Sequence, residues 1–181
     1  MCSSDLDSDG WNDVFVVGFP GTPAHVYQNP GNSGGGWKKH VVFDSVANES
    51  PHFIQLTGDN RPELVCCYDG KFGYATVNWD KPFEKWTFHP ISEKAAPDRF
   101  GHGLGVGDVN GDGKLDILIA NGWFQQPGDS PDTTRWMFHE AAFTNAYGGA
   151  AGIPEGRRVG HQPFQFGEAA AERLAAWGKA R

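Results

Sequence analysis

The chain has 181 residues, 39% hydrophobic and 13% aromatic, enough for packed cores, and a formal net charge of −7. No run of about 18 apolar residues is present, so no segment is long enough to cross a membrane as a helix. The acidity is local: Asp5, Asp7, Asp9, Asp13, Asp59, Glu63, Asp108, Asp112 and Asp116 are nine of the 22 acidic residues, leaving 13 acidic against 15 basic, with no basic patch suited to nucleic acid.

In chain order, Cys2-Ser3-Ser4-Asp5-Leu6 looks like translated adapter sequence running directly into mid-repeat sequence, so the chain is expected to begin inside a structural unit. On that reading the first unit is truncated and Asp5 is an accidental ligand. From Asp5 to Asp13, oxygen side chains occupy the first, third, fifth and ninth places of a loop with Gly10 at the sixth. Such spacing folds a short loop around a hard cation, the glycine permitting the sharp turn. An EF-hand would lead into a helix and carry Glu at the twelfth place. Here that place holds Val16, within the apolar run Val14 to Val17, so the loop leads into a strand.

The same grammar recurs twice. Gln55 to Glu63 is a worn copy before the strand-like Leu64 to Tyr68, and Asp108 to Asp116 is a full copy before Ile117 to Ala120, with Ile119 at the twelfth place. Trp-x-x-His runs in step at Trp37 to His40, Trp86 to His89 and Trp136 to His139. Aromatic-x-x-Pro does likewise at Tyr27 to Pro30, Trp79 to Pro82 and Phe124 to Pro127. Three features sharing a period of roughly 50 residues point to a propeller or other stacked array.

Each period reads as acidic loop, apolar strand, Gly-rich turn, aromatic strand, variable loop, Trp-x-x-His strand and an inner strand such as Pro51 to Leu56 or Gly103 to Val109. The predicted fold is therefore all-β: about three four-stranded antiparallel propeller blades over 1–148. A tail over 149–181 is irregular, helical around Glu168 to Trp177, or out of frame. Closed propellers have about 4–8 blades. The chain is thus expected to be part of a longer protein or to complete itself with a second copy. Trp37, Trp86 and Trp136 are predicted to pack between blades.

Three cysteines make no disulfide framework. Cys66 and Cys67 are adjacent on a predicted strand and should point to opposite faces as buried, small apolar residues. No signal peptide is read at the start, and the natural start is expected to lie upstream.

The Asp-x-Asn-x-Asp-Gly-x-x-Asp loop followed by an apolar strand at a blade-sized period resembles the FG-GAP-like (VCBS) repeat proteins, which include the integrin α-subunit propeller. The resemblance covers roughly 5–148, and His102 to Asp108 with Asn121 to Phe124 looks particularly like the secreted bacterial members. It implies a calcium-binding β-propeller, usually exported to the periplasm, cell surface or medium, serving adhesion, ligand binding or scaffolding beside catalytic modules. Departures fall in the middle loop: Gln55 and Thr57 replace carboxylates, and Asn60 replaces the turn glycine. Asn tolerates the left-handed conformation, so this loop should keep its shape while losing its metal.

Candidate metal ligands are the side chains of Asp108, Asn110, Asp112 and Asp116 with the Lys114 carbonyl, and Asp5, Asp7, Asp9 and Asp13 with Trp11 at the seventh place. The alternative is an Asx-turn network without metal, against which stands the mutual repulsion of crowded carboxylates. Hard oxygens without thiol or imidazole favour calcium.

Two functional classes are open. One is a non-catalytic, calcium-stabilised binding or scaffold propeller contacting a polysaccharide or protein. The other is the propeller of a calcium-dependent polysaccharide lyase or sugar dehydratase. His40, His89 and His139 belong to the repeat and read as structural. His102, on the approach to an inner strand where the previous repeat has Glu49, is the weak catalytic candidate. Trp79, Trp123 and Phe124 offer either an aromatic platform for sugar rings or, favoured by their repetition, blade packing.

Overall fold

A computed structural model describes residues 2–128 and 135–143. Twelve strands form three sheets: β1 (Cys2–Ser4), β2 (Asp13–Val17), β3 (Thr22–Gln28), β4 (Lys38–Val46); β5 (His52–Ile54), β6 (Glu63–Tyr68), β7 (Lys71–Thr76), β8 (Thr87–Pro90); β9 (Gly105–Gly107), β10 (Asp116–Ile119), β11 (Gly122–Gln125), β12 (Met137–Glu140). Each sheet is an antiparallel meander in chain order. The predicted all-β, blade-like organisation is what the chain adopts. Among the described residues the one helical element is a single 3-10 turn, Gly31–Ser33. The predicted tail, from 149, lies outside the described residues.

Local chemistry explains the hairpins. Asp69 and Gly70 both have positive φ, 48° and 68°, as a two-residue turn that follows the strand twist requires, and Tyr68 pairs with Lys71 across it. In β7 and β11, Gly73 and Gly122 lie directly under the ring of the neighbouring strand's Phe88 or Phe138 and against a histidine carbonyl, with no space for a β-carbon.

Strands alternate their side chains between two cores. Leu64 and Cys66 face the first sheet in a core with Phe15, Val26, Val42 and Trp86. Val65 and Cys67 face the third sheet, in a core with Tyr74, Leu104, Ile117, Phe124 and Trp136. The adjacent cysteines thus divide between the two inter-sheet layers. Burial raises the Cys67 thiol to about 12 and the Cys66 thiol well above its usual value.

Trp86 and Trp136 make the predicted inter-blade packing. Trp86 stacks on Phe15 at 4.9 Å, and its backbone N–H donates to Val42 of the first sheet at 2.8 Å. Trp136 reaches back in the same way, donating to the Ile91 carbonyl at 3.2 Å and leaning on Tyr74. Aromatic pairs of this kind contribute about 0.5–1.5 kcal/mol each beyond area burial. Trp37 departs from the expectation and is 49% exposed. Its equivalents each enter the preceding sheet, and Trp37 belongs to the first of the three. Trp123 and Phe124 are buried and Trp79 is partly buried against the first core, so blade packing is their role.

Candidate metal centre

Each acidic loop joins the first and second strands of its sheet, so all three emerge at the same end of their blades. The loops share a backbone course. The sixth place is left-handed in all three: Gly10 at 90°, Asn60 at 66° and Gly113 at 84°. The fourth place is left-handed as well, at Ser8 (59°), Gly58 (87°) and Gly111 (77°), a second turn that the glycine pattern alone did not reveal. Asn60 keeps the middle loop's shape, as expected from its tolerance of this region.

That course turns backbone N–H groups onto the first-place carboxylate. Asp5 accepts from Asp9 N–H at 3.0 Å and Gly10 N–H at 2.9 Å. Asp108 accepts from Gly111 N–H at 2.7 Å and Gly113 N–H at 2.9 Å. The fifth-place residue closes an Asx turn in every loop, accepting from Trp11, Arg61 and Lys114 N–H at 2.8, 2.8 and 2.9 Å. In the middle loop Gln55 leaves the first-place carboxylate missing, and Thr57 Oγ1 donates to Glu63 instead.

The ninth-place carboxylate is a buried clasp. Asp116 is 0% exposed; its Oδ2 accepts from Val109 N–H and its Oδ1 from Gln126 N–H, both at 2.9 Å. Asp13 repeats this with Leu6 N–H at 3.1 Å and Asn29 N–H at 2.9 Å. Glu63 accepts from Leu56 N–H at 2.7 Å and Thr57 N–H at 3.2 Å. The clasp ties the start of the loop to the next residue it must pack beside, and in the outer two blades it also ties the loop to the chain leaving the third strand. Burial pushes the carboxyls of Asp13 and Glu63 up, and that of Asp116 to about 6, against the lowering effect of the N–H donors. Asp112, hydrogen-bonded by Asn110 and Lys114, is held below its usual value.

Asp5, Asp7 and Asp9 each present an oxygen within 4.8 Å of the others. Asp13 stands outside this trio and is buried. In the third loop Asn110 replaces the middle carboxylate, its amide donating to Asp112 at 2.9 Å, while Asp108 and Asp112 remain exposed and Asp116 is buried below. The donor set in both loops is hard oxygen, which fits calcium. Seventh-place side chains turn away across the loop after the third strand: Trp11 lies over Gly31, the Arg61 guanidinium is 5.6 Å from the Trp79 ring, and Lys114 reaches Gly128. The Trp11 and Lys114 contributions to a cation would therefore be their carbonyls.

The repeat histidines sit in equivalent places, and each bonds the last residue of its sheet's third strand. His40, His89 and His139 bond through Nε2 to Gln28 at 3.2 Å, Thr76 at 2.8 Å and Gln125 at 2.8 Å. They stack on Phe83, Tyr74 and Trp123. His102 is exposed just before β9 and pairs with Glu49 at 2.8 Å, so the two residues at corresponding places of successive repeats meet at the rim opposite the acidic loops.

These loops and blades have a counterpart among known families. The model for the FG-GAP-like repeat matches twice, over residues 5–66 and 55–119. The chain belongs to the FG-GAP-like repeat family. Each match begins at an acidic loop and continues through the next loop into the strand that follows it, in step with the sheets. No curated protein and no solved structure matches the chain.

Proposed function

We propose that these FG-GAP-like repeats form a calcium-stabilised, non-catalytic binding or scaffold propeller that works outside the cytoplasm, at the cell surface, in the periplasm or in the medium. The observation that carries the calcium reading is the Asp5, Asp7 and Asp9 trio, with three carboxylate oxygens within 4.8 Å. Like charges that close raise one another's energy unless a cation offsets them. The ligands we assign are Asp5, Asp7, Asp9 and Asp13 with the Trp11 carbonyl, and Asp108, Asn110, Asp112 and Asp116 with the Lys114 carbonyl. Asp13 and Asp116 are assigned by their ninth place in each loop, and each carboxylate oxygen retains a lone pair beyond its single backbone bond. Calcium titration calorimetry should give two sites per chain and one in Asp112→Ala. Absence of any calcium binding would refute the reading.

The partner surface we favour is the opposite rim. Phe19 is 62% and Phe100 41% exposed there, ring centroids 5.3 Å apart, with the Arg99 guanidinium 5.8 Å from the Phe100 ring. Exposed aromatics beside a cation suit a polysaccharide. Affinity electrophoresis through neutral and uronate-containing polysaccharides should retard the wild type and not the Phe19→Ala/Phe100→Ala variant; equal mobility of both in every gel opposes a carbohydrate partner. Exposed Trp37 and the count of three sheets among the described residues further support additional blades in a longer chain. The full reading frame should contain them, and a frame ending with these three would contradict the proposal.

A further inference from the structure

The histidine partners differ between blades in a way that follows the loops. Gln28, Thr76 and Gln125 are the last residues of β3, β7 and β11, the third strand of each sheet. Gln28 uses its other end to reach the acidic loop, Nε2 donating to Asp7 Oδ2 at 3.0 Å. Gln125 takes the equivalent place in the third sheet, its Oε1 on His139 Nε2 at 2.8 Å, and lies near enough to Asp112 to favour that carboxylate's charged form. The carboxylate sits at the third place in one loop and the fifth in the other, because Asn110 occupies the third place of the latter. In the middle blade, whose loop has no carboxylate at its first or third place, the glutamine is Thr76, a side chain too short to span to the loop.

An ionised carboxylate only accepts, so it fixes the direction of the whole chain of bonds. The glutamine must turn its amide nitrogen to the aspartate, its oxygen must face the histidine, and the histidine must donate from Nε2. The recorded contacts, His40 Nε2 to Gln28 Oε1 and Gln28 Nε2 to Asp7, have this order. The fourth strand thereby holds the third, and the third holds the rotamer of one loop oxygen. A neutral amide does this without adding charge to the loop.

We infer that Gln28 and Gln125, each backed by its repeat histidine, are positioning residues that set the cation affinity of the Asp5 and Asp108 loops and link each loop to the outer hairpin of its blade. This rests on the calcium reading. Outer-shell partners of ligands typically govern affinity by about 10–100-fold. The test uses two full-length single-site proteins, Asp112→Ala, keeping the first loop, and Asp7→Ala, keeping the third, titrated with calcium by calorimetry. Adding the near-isosteric Gln28→Met to each should weaken the first by about 10–100-fold and leave the second unchanged. Gln125→Met should do the reverse. A merely structural glutamine would alter both single-site proteins or neither, and either pattern overturns the inference. If neither parent binds calcium, the calcium reading fails and the inference with it; if both parents bind and Gln28→Met changes nothing, the inference alone fails.

Discussion

Asp116→Ala should destabilise the fold even where no calcium is present, and Asp112→Ala should not. Asp116 is wholly buried and accepts two backbone N–H groups, from Val109 and Gln126, each at 2.9 Å, and both of those residues are themselves buried. Leaving a buried donor unsatisfied costs about 1–3 kcal/mol, so two cost about 2–6 kcal/mol. Removing a buried carboxylate that burial itself disfavours returns part of this, for a net of about 2–4 kcal/mol. At about 2–4 °C per kcal/mol for a chain of this size, the melting temperature in chelator should fall by about 4–16 °C. Asp112 is exposed and its bonds from Asn110 and the Lys114 N–H lie within the loop, leaving no buried donor unsatisfied, so Asp112→Ala in chelator should cost about 0.5 kcal/mol or less. Chemical and thermal unfolding in EDTA separates the two. Equal stability of the variants there would refute the clasp, and with it the structural role that the ninth place adds to its place in the site.

The remaining predictions probe separate parts of the architecture. Gly122→Ala should destabilise by about 1–3 kcal/mol, because a β-carbon there meets the Phe138 ring and the His139 carbonyl; a neutral effect in denaturant titration would contradict the close strand packing. In a Cys2→Ser background, Cys66 and Cys67 should stay unreactive to a thiol reagent at pH 8 until the protein unfolds, since both are buried and their thiols are raised; rapid native labelling would show that the two cores open readily. Asp59→Ala should leave calorimetric calcium binding intact, since Gln55 and Thr57 already deprive that loop of charge, and a loss matching that of Asp112→Ala would show that the middle loop is a site.

Much of this organisation is legible because the repeat prints the same physics three times. Apolar runs after acidic loops, a Trp-x-x-His strand and loops of varying length locate the strands within a few residues, and the alternation of Cys66 and Cys67 follows from the pleat alone. The ninth-place clasp was hidden because a carboxylate spaced for a cation and one spaced for backbone N–H groups look alike in sequence. Its signal was Glu63, which persists in the loop that has lost its first- and third-place carboxylates. The link from Gln28 to Asp7 was equally hidden, since it joins residues 21 apart through the geometry of a hairpin, although the exchange of Gln for Thr76 marks it. Trp37 misleads for a different reason: its packing partner is a property of the neighbouring blade, which the motif itself does not encode.

Thermal unfolding with and without calcium tests the central claim most directly. If the two charged loops behave as extracellular calcium modules, with dissociation constants of about 10⁻⁴ to 10⁻³ M, then about 1 mM calcium stabilises the fold by roughly 0.4–1.4 kcal/mol per site. The melting temperature should rise by a few degrees over that in chelator, and folding should survive chelation because blade packing supplies most of the stability. Asp112→Ala should remove about half of the rise, while His102→Ala should leave it whole. A melting curve indifferent to calcium, in a protein that is folded and soluble, would contradict the account.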